Sequence, residues 1–183
     1  MFRLPTFLLA AALTPAFTEP ASFQLEEATI ASIHAAMRAG KLTAADLVAM
    51  YLRRIEAYDK SGPALNTVIL INPEVKRRAA ALDAKFAVSG FTGPLHGIPV
   101  LLKDNVETAD MPTTAGSRSL EGFVSSDDAF LVKRLREAGA LIIAKVNLTE
   151  FAATGITRSS ILGQTLNPYD LTRTPGGSSG GTG

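Results

Sequence analysis

The sequence predicts an α/β fold, on three observations. Runs rich in branched apolar residues and of strand length recur at residues 65–71 (Leu-Asn-Thr-Val-Ile-Leu-Ile), 98–102 (Ile-Pro-Val-Leu-Leu) and 140–144 (Ala-Leu-Ile-Ile-Ala). The segments before and between them carry apolar residues at helical spacing. The last two runs also enclose a helical segment, and a strand–helix–strand succession favours parallel pairing through a right-handed crossover. With 183 residues, 46% of them apolar and 19% charged, the chain is long enough for one domain with a real core. No composition shift marks an internal linker, and no repeat is visible.

Each element has a local cause. Thr29 caps a helix in which Ile30, Ile33 and Met37 recur at helical spacing and Gly40 ends it. Thr43, with Asp46 three residues on, opens a second helix whose face is Leu47, Val48, Tyr51, Leu52 and Ile55. His34 is expected at the edge of the first helix or in solvent, without a function. After the strand at 65–71, Asn72-Pro73 starts a helix through Val75, Ala79, Leu82 and Phe86 to Gly90, because proline at the first helical position loses no needed N–H. Its basic triplet Lys76-Arg77-Arg78 reads as a solvated face.

Pro99 opens the next strand, where no ladder bond is required of it, and Lys103 follows directly. Residues 113–117 read as loop. Ser126-Asp127-Asp128 is expected to cap a helix with Phe130, Leu131 and Leu135 on its buried side and Gly139 at its stop. Residues 148–153 read as a short helix, after which the chain becomes irregular.

Residues 1–21 do not read as part of the fold. Arg3 precedes the uncharged run Phe7-Leu8-Leu9-Ala10-Ala11-Ala12-Leu13, and small residues follow at Thr14-Pro15-Ala16 and Ala16-Phe17-Thr18. This is the pattern of a secretory signal peptide, too short for a stable membrane anchor. It implies a secreted or periplasmic protein whose single domain occupies residues 22–183; without a working signal the protein would be cytoplasmic.

Composition removes several functions. A net charge of +1, with no basic run beyond the triplet at 76–78, gives no field to recruit nucleic acid. The absence of cysteine excludes disulfides, thiolate nucleophiles and cysteine metal sites, and His34 and His96 alone are too few for a histidine-rich zinc site.

Two stretches carry the chemistry. The last nine residues, Pro175-Gly176-Gly177-Ser178-Ser179-Gly180-Gly181-Thr182-Gly183, hold five glycines, which let a backbone take positive φ and approach another group closely. Composition alone would allow a flexible Gly/Ser tail. Upstream, Gly93-Pro94-Leu95-His96-Gly97-Ile98-Pro99-Val100-Leu101-Leu102-Lys103-Asp104-Asn105 places one lysine after an apolar run. Together these motifs resemble the amidase signature family. Lys145-Val146-Asn147-Leu148-Thr149-Glu150-Phe151 and Asn167-Pro168-Tyr169-Asp170 resemble its linking segments, in the family's order. The resemblance runs from about Thr29 to the end. It implies the N-terminal part of a large mixed sheet covered by helices on both faces, with the sheet incomplete.

Amide hydrolysis needs a nucleophile, a base to activate it and donors for the developing oxyanion. Lysine can act as base only when its amine is neutral, which burial favours; Val100, Leu101 and Leu102 make burial of Lys103 credible. The resemblance supplies the roles. It makes Lys103 the base and gives Ser178 a cis peptide bond and the task of relaying the proton. The flanking Gly176, Gly177, Gly180 and Gly181 permit that geometry, and Ser179 supports the loop by hydrogen bonding. It places the nucleophile in a second glycine-rich loop beyond Gly183, so the chain as given is expected to be inactive. His96 reads as a turn residue, Asp104 and Asn105 as residues that orient the loop after the base, and Glu150 as a turn residue rather than an acid. A small or peptide amide is the implied substrate, and no metal or organic cofactor is needed.

Other readings remain open at this point. The glycine loop could cradle a phosphate, but it lacks the lysine and the preceding strand of a P-loop. The A subunits of glutamyl-tRNA amidotransferases carry the same motifs and work in a complex on glutamine; a secretory leader argues against that. A non-catalytic truncated product or binding module is the third.

Overall fold

The computed structural model describes residues 23–183. The leader expected at residues 1–21 lies outside them. The chain runs α1 (Ile30–Arg38), α2 (Ala44–Arg54), β1 (Val68–Ile71), α3 (Val75–Ser89), β2 (Pro99–Lys103), α4 (Phe130–Glu137), β3 (Leu141–Val146), and a two-residue ribbon of β4 (Arg158–Ser159) and β5 (Gly163–Gln164).

The first two helices begin where their caps predict. Thr29 and Ser32 form one reciprocal capping box, and Thr43 and Asp46 form another. The start of α2 is doubly satisfied, because the Asp83 carboxylate of α3 accepts from Ala44 N–H at 2.7 Å and Ala45 N–H at 3.0 Å. This ties α2 to α3 at the point where four backbone donors would otherwise lack partners. A π-helical turn, Ile55–Lys60, extends α2 toward β1.

The sheet has order β1-β3-β2, with β2 parallel and β1 antiparallel to β3. It is therefore mixed, and β3 is central and buried along its whole length. On one face, α1, α2 and α3 pack Ile33, Leu47, Val48 and Ala79 toward Ile143 and Val146. On the other, Val132 of α4 packs with Leu102, Met111 and Ile142. Helices thus cover both faces, and each buried branched side chain contributes about 1.5–3 kcal/mol against exposure.

Several expectations need correction. Strand β1 starts at Val68 rather than Leu65: Ala64 and Asn66 take φ of 50° and 59°, and Asp59 accepts from the Thr67 N–H, so no ladder can form there. Helix α3 starts at Val75, because Asn72 Oδ1 takes the Glu74 N–H in a turn across Pro73. Ser126-Asp127-Asp128 does not cap α4. Asp127 pairs with Lys133, while Asp128 accepts from Ala109 N–H and pairs with Arg136, leaving Ala129 as a cap without a side-chain bond. The helix is rotated accordingly: Phe130 is 80% and Leu131 55% exposed, and Val132 with half-buried Leu135 forms the inner side. Residues 148–153 make only a 3₁₀ turn, Glu150–Ala152, broken by Phe151 at φ 50°. His34 is buried, stacked on Phe91 at 4.4 Å with its Nε2 2.9 Å from the His96 carbonyl.

Candidate active site

Parallel strands β2 and β3 end side by side, with Lys103 opposite Val146. The crevice beyond the carboxyl ends of such strands is where α/β proteins gather ligands, and the glycine loop docks there. Gly181 N–H donates to the Asn147 carbonyl at 3.1 Å, just past β3, and Thr149 N–H donates to the Ser178 carbonyl at 2.9 Å. The Lys103 Nζ consequently lies 2.6 Å from the Ser178 Oγ. The Gly177–Ser178 peptide is cis.

The loop is held through one threonine. Thr157 Oγ1 donates to the Gly176 carbonyl at 2.6 Å and accepts from Gly180 N–H at 2.9 Å, so one hydroxyl binds both shoulders of the turn. Thr157 N–H in turn donates to Thr149 Oγ1 at 2.8 Å. The approach leaves no room for side chains. A Cβ on Gly180 would stand 2.6 Å from Pro175 Cγ, and one on Gly181 2.6 Å from the Asn147 nitrogen. A Cβ on Gly177 would stand 2.9 Å from the Gly155 carbonyl carbon. Ser179 is exposed and supports the loop through its carbonyl, which accepts from Thr182 and Gly183 N–H groups.

The other residues singled out in the sequence fall outside this contact. Asp104 is buried and orients the following loop, accepting from the Thr114 N–H and hydroxyl with its carboxylate and from Ala115 N–H with its carbonyl. Asn105 is exposed. His96 is buried and accepts from the Thr92 N–H at Nδ1. Burial, aided by His34, draws its pKa below the ordinary histidine value, which suits a neutral, architectural ring. Glu150 accepts from Ser160 N–H. Hydrogen bonds from Ser117 and Ser160 lower its pKa, which suits an acceptor rather than an acid. Lys103 itself is half-buried and Leu101 is 38% exposed, so the enclosure expected of residues 100–102 is partial.

Sequence reasoning missed Thr157, whose partners lie 19 and 23 residues away and leave no local signal. It also assigned no role to Lys145, although that residue belongs to one of the family's linking segments.

A lysine–serine contact at the mouth of parallel strands, inside a close-packed glycine loop, defines this chain by class, and it belongs to the amidase family, whose model matches residues 46–183. Among curated proteins it is similar to the A subunit of glutamyl-tRNA(Gln) amidotransferase from Halorhodospira halophila, 43% identical over 86% of this chain and 32% of that protein. The chloroplastic/mitochondrial counterpart from Oryza sativa subsp. indica is 41% identical over 92% of this chain and 31% of that protein. Among solved structures, native peptide amidase from Stenotrophomonas maltophilia superposes with a TM-score of 0.81 at 46% identity, over 85% of this chain and 33% of its own. The chain spans about a third of the length of these relatives.

Proposed function

We propose that the whole protein cleaves amide C–N bonds by acyl transfer to a serine, with Lys103 as base and Ser178 as proton relay. The observation that carries this reading is the 2.6 Å contact between Lys103 Nζ and Ser178 Oγ. A hydroxyl both donates and accepts. Ser178 can therefore take a proton from a nucleophilic hydroxyl while passing its own to an unprotonated Lys103 amine. The nucleophile, a serine outside these 183 residues in this reading, attacks the amide carbonyl carbon. The tetrahedral intermediate then expels the amine, which receives the proton back through Ser178. Water, activated by the same pair, releases the acid. No step calls for a metal or an organic cofactor.

Two finer readings divide over the acceptor. A stand-alone enzyme acting on small or peptide amides is supported by the likeness to peptide amidase. The role of an amidotransferase component, like the curated relatives, is supported by their names, which weigh more heavily on its side; it would require further subunits and tRNA. The apolar run after Arg3 supports export, and with it the stand-alone reading. The test is to express the whole protein alone and measure ammonia release from peptide amides and from glutamine. Turnover of peptide amides by the single chain favours the first reading. Glutamine turnover only with partner subunits favours the second. No turnover under either condition refutes the proposal.

A further inference from the structure

Lys145 is the largest fully buried side chain among the described residues. It stands on central strand β3, paired with Leu102 of β2 and Leu70 of β1. Its ammonium nitrogen donates to Thr113 Oγ1 at 2.7 Å, to the Val106 carbonyl at 2.8 Å and to the Pro112 carbonyl at 3.2 Å. The two carbonyls can only accept, so the Lys145 nitrogen must donate to both, while the Thr113 hydroxyl can take either role. Asp104 Oδ1, which has no hydrogen-bond partner of its own, lies 3.6 Å away as countercharge. Burial draws the Lys145 pKa below the ordinary lysine value, and Asp104 opposes that pull.

A buried lysine is a costly way to fill a core, because its charge must be paired and its donors met. A methionine would occupy similar space without that demand. What the ammonium adds is a set of specific contacts. Val106 and Thr113 flank the Thr108–Met111 bridge in the loop that follows β2, and Lys145 clips them together. Past Thr113 the chain returns to Asp104, where Ala115 N–H meets the Asp104 carbonyl at 2.9 Å. The Ala115 carbonyl then accepts from Phe151 N–H at 2.9 Å, and Thr149 N–H holds the Ser178 carbonyl. A ring of contacts thus runs from Lys103 through Asp104, Ala115, Phe151 and Thr149 to Ser178, and closes at the Lys103–Ser178 contact. Lys145 reaches this ring at Asp104.

We propose that Lys145 is a positioning residue: paired with Asp104 and bound to both ends of the loop between residues 106 and 113, it sets the distance between Lys103 and Ser178. The catalytic part of this inference rests on the amide-cleaving reading above; the geometric part does not.

The test uses the whole protein labelled with 13C at lysine Cε, the Lys103 signal being assigned by Lys103→Arg. Lys145→Met and the charge-balanced pair Lys145→Met with Asp104→Asn are compared with wild type for melting temperature, kcat, KM and the Lys103 signal. The expected result for the balanced pair is a folded protein whose kcat falls about 30-fold with KM changed less than about threefold, as misplacement of a reacting group would produce. Its Lys103 signal should also lose its distinct shift and narrow toward that of a free side chain. Unchanged kcat and Lys103 signal in the folded pair overturn the proposal, as does a loss of both that merely tracks the melting temperature. If the lysine variants do not fold, Thr113→Val removes one acceptor of the clamp; an unaltered Lys103 signal there overturns the proposal as well. A wild-type protein that cleaves no amide removes the functional reading, and the Lys103 signal alone then decides the positioning.

Discussion

Lys103 and Ser178, 75 residues apart in the chain, meet with Nζ 2.6 Å from Oγ at the end of β2. If they act as base and relay, Lys103→Ala and Ser178→Ala in the whole protein should each lower kcat by about 10²–10⁴-fold. Their effects should not add, since removing either breaks the same proton path. Single-turnover kinetics on the two variants and the double variant checks this.

Thr157 joins both shoulders of the glycine loop through one hydroxyl. Thr157→Val keeps the shape but leaves the Gly176 carbonyl and the Gly180 N–H unpaired. The expected cost is about 1–3 kcal/mol of stability, with disproportionate loss of activity because the loop carries Ser178. Thr157→Ser, which retains the hydroxyl, should recover most of both. Urea unfolding and amide turnover measured side by side give the comparison.

Asp59 makes folding pH-dependent. Burial opposes its ionisation, but hydrogen bonds from the Thr67 hydroxyl and N–H, from Lys60 and from Val68 N–H outweigh burial and hold its pKa below the ordinary value. The stabilisation is present above the unfolded carboxyl value of about 3.9 and is lost as pH falls through the lower folded value. Asp59→Asn should therefore lower the urea midpoint at pH 7 and make it fall less steeply in acid. Equal slopes for variant and wild type would contradict the assignment.

The inner side of α4 separates cleanly from its outer side. Val132→Ala should cost on the order of 2 kcal/mol, because it opens a cavity against Leu102 and Ile142. Phe130→Ala, at a residue 80% exposed, should stay within about 0.5 kcal/mol. Thermal melts of the two variants suffice.

What is legible in the sequence is local. The Thr43–Asp46 capping box spans four residues and announces α2; the runs at 98–102 and 140–144, with the helix between them, announce the parallel pair. The antiparallel seat of β1 and the central place of β3 depend on pairing between distant segments, and no window of sequence contains it. The apolar run that predicts β3 stops at Ala144, since Lys145 interrupts it, yet the strand continues to Val146 because three acceptors and a carboxylate receive the buried ammonium. The phase of α4 is hidden because two aspartates that resemble a cap are engaged by Lys133 and Arg136. At the site, the motifs lead to both members of the Lys103–Ser178 contact, and the threonine that holds the loop has no motif to mark it.

The glycine loop also sets the course its sequence can take under mutational drift. Gly177, Gly180 and Gly181 are each fixed by volume, so any replacement displaces backbone. Gly176 has open space around its Cα but a φ of +83°, so asparagine is the replacement it would best tolerate. Exposed Ser179 contributes mainly its carbonyl. A lineage that relaxes selection on catalysis should vary first at Ser179, next at Gly176, and last at the three packed glycines, which would outlive the chemistry they serve.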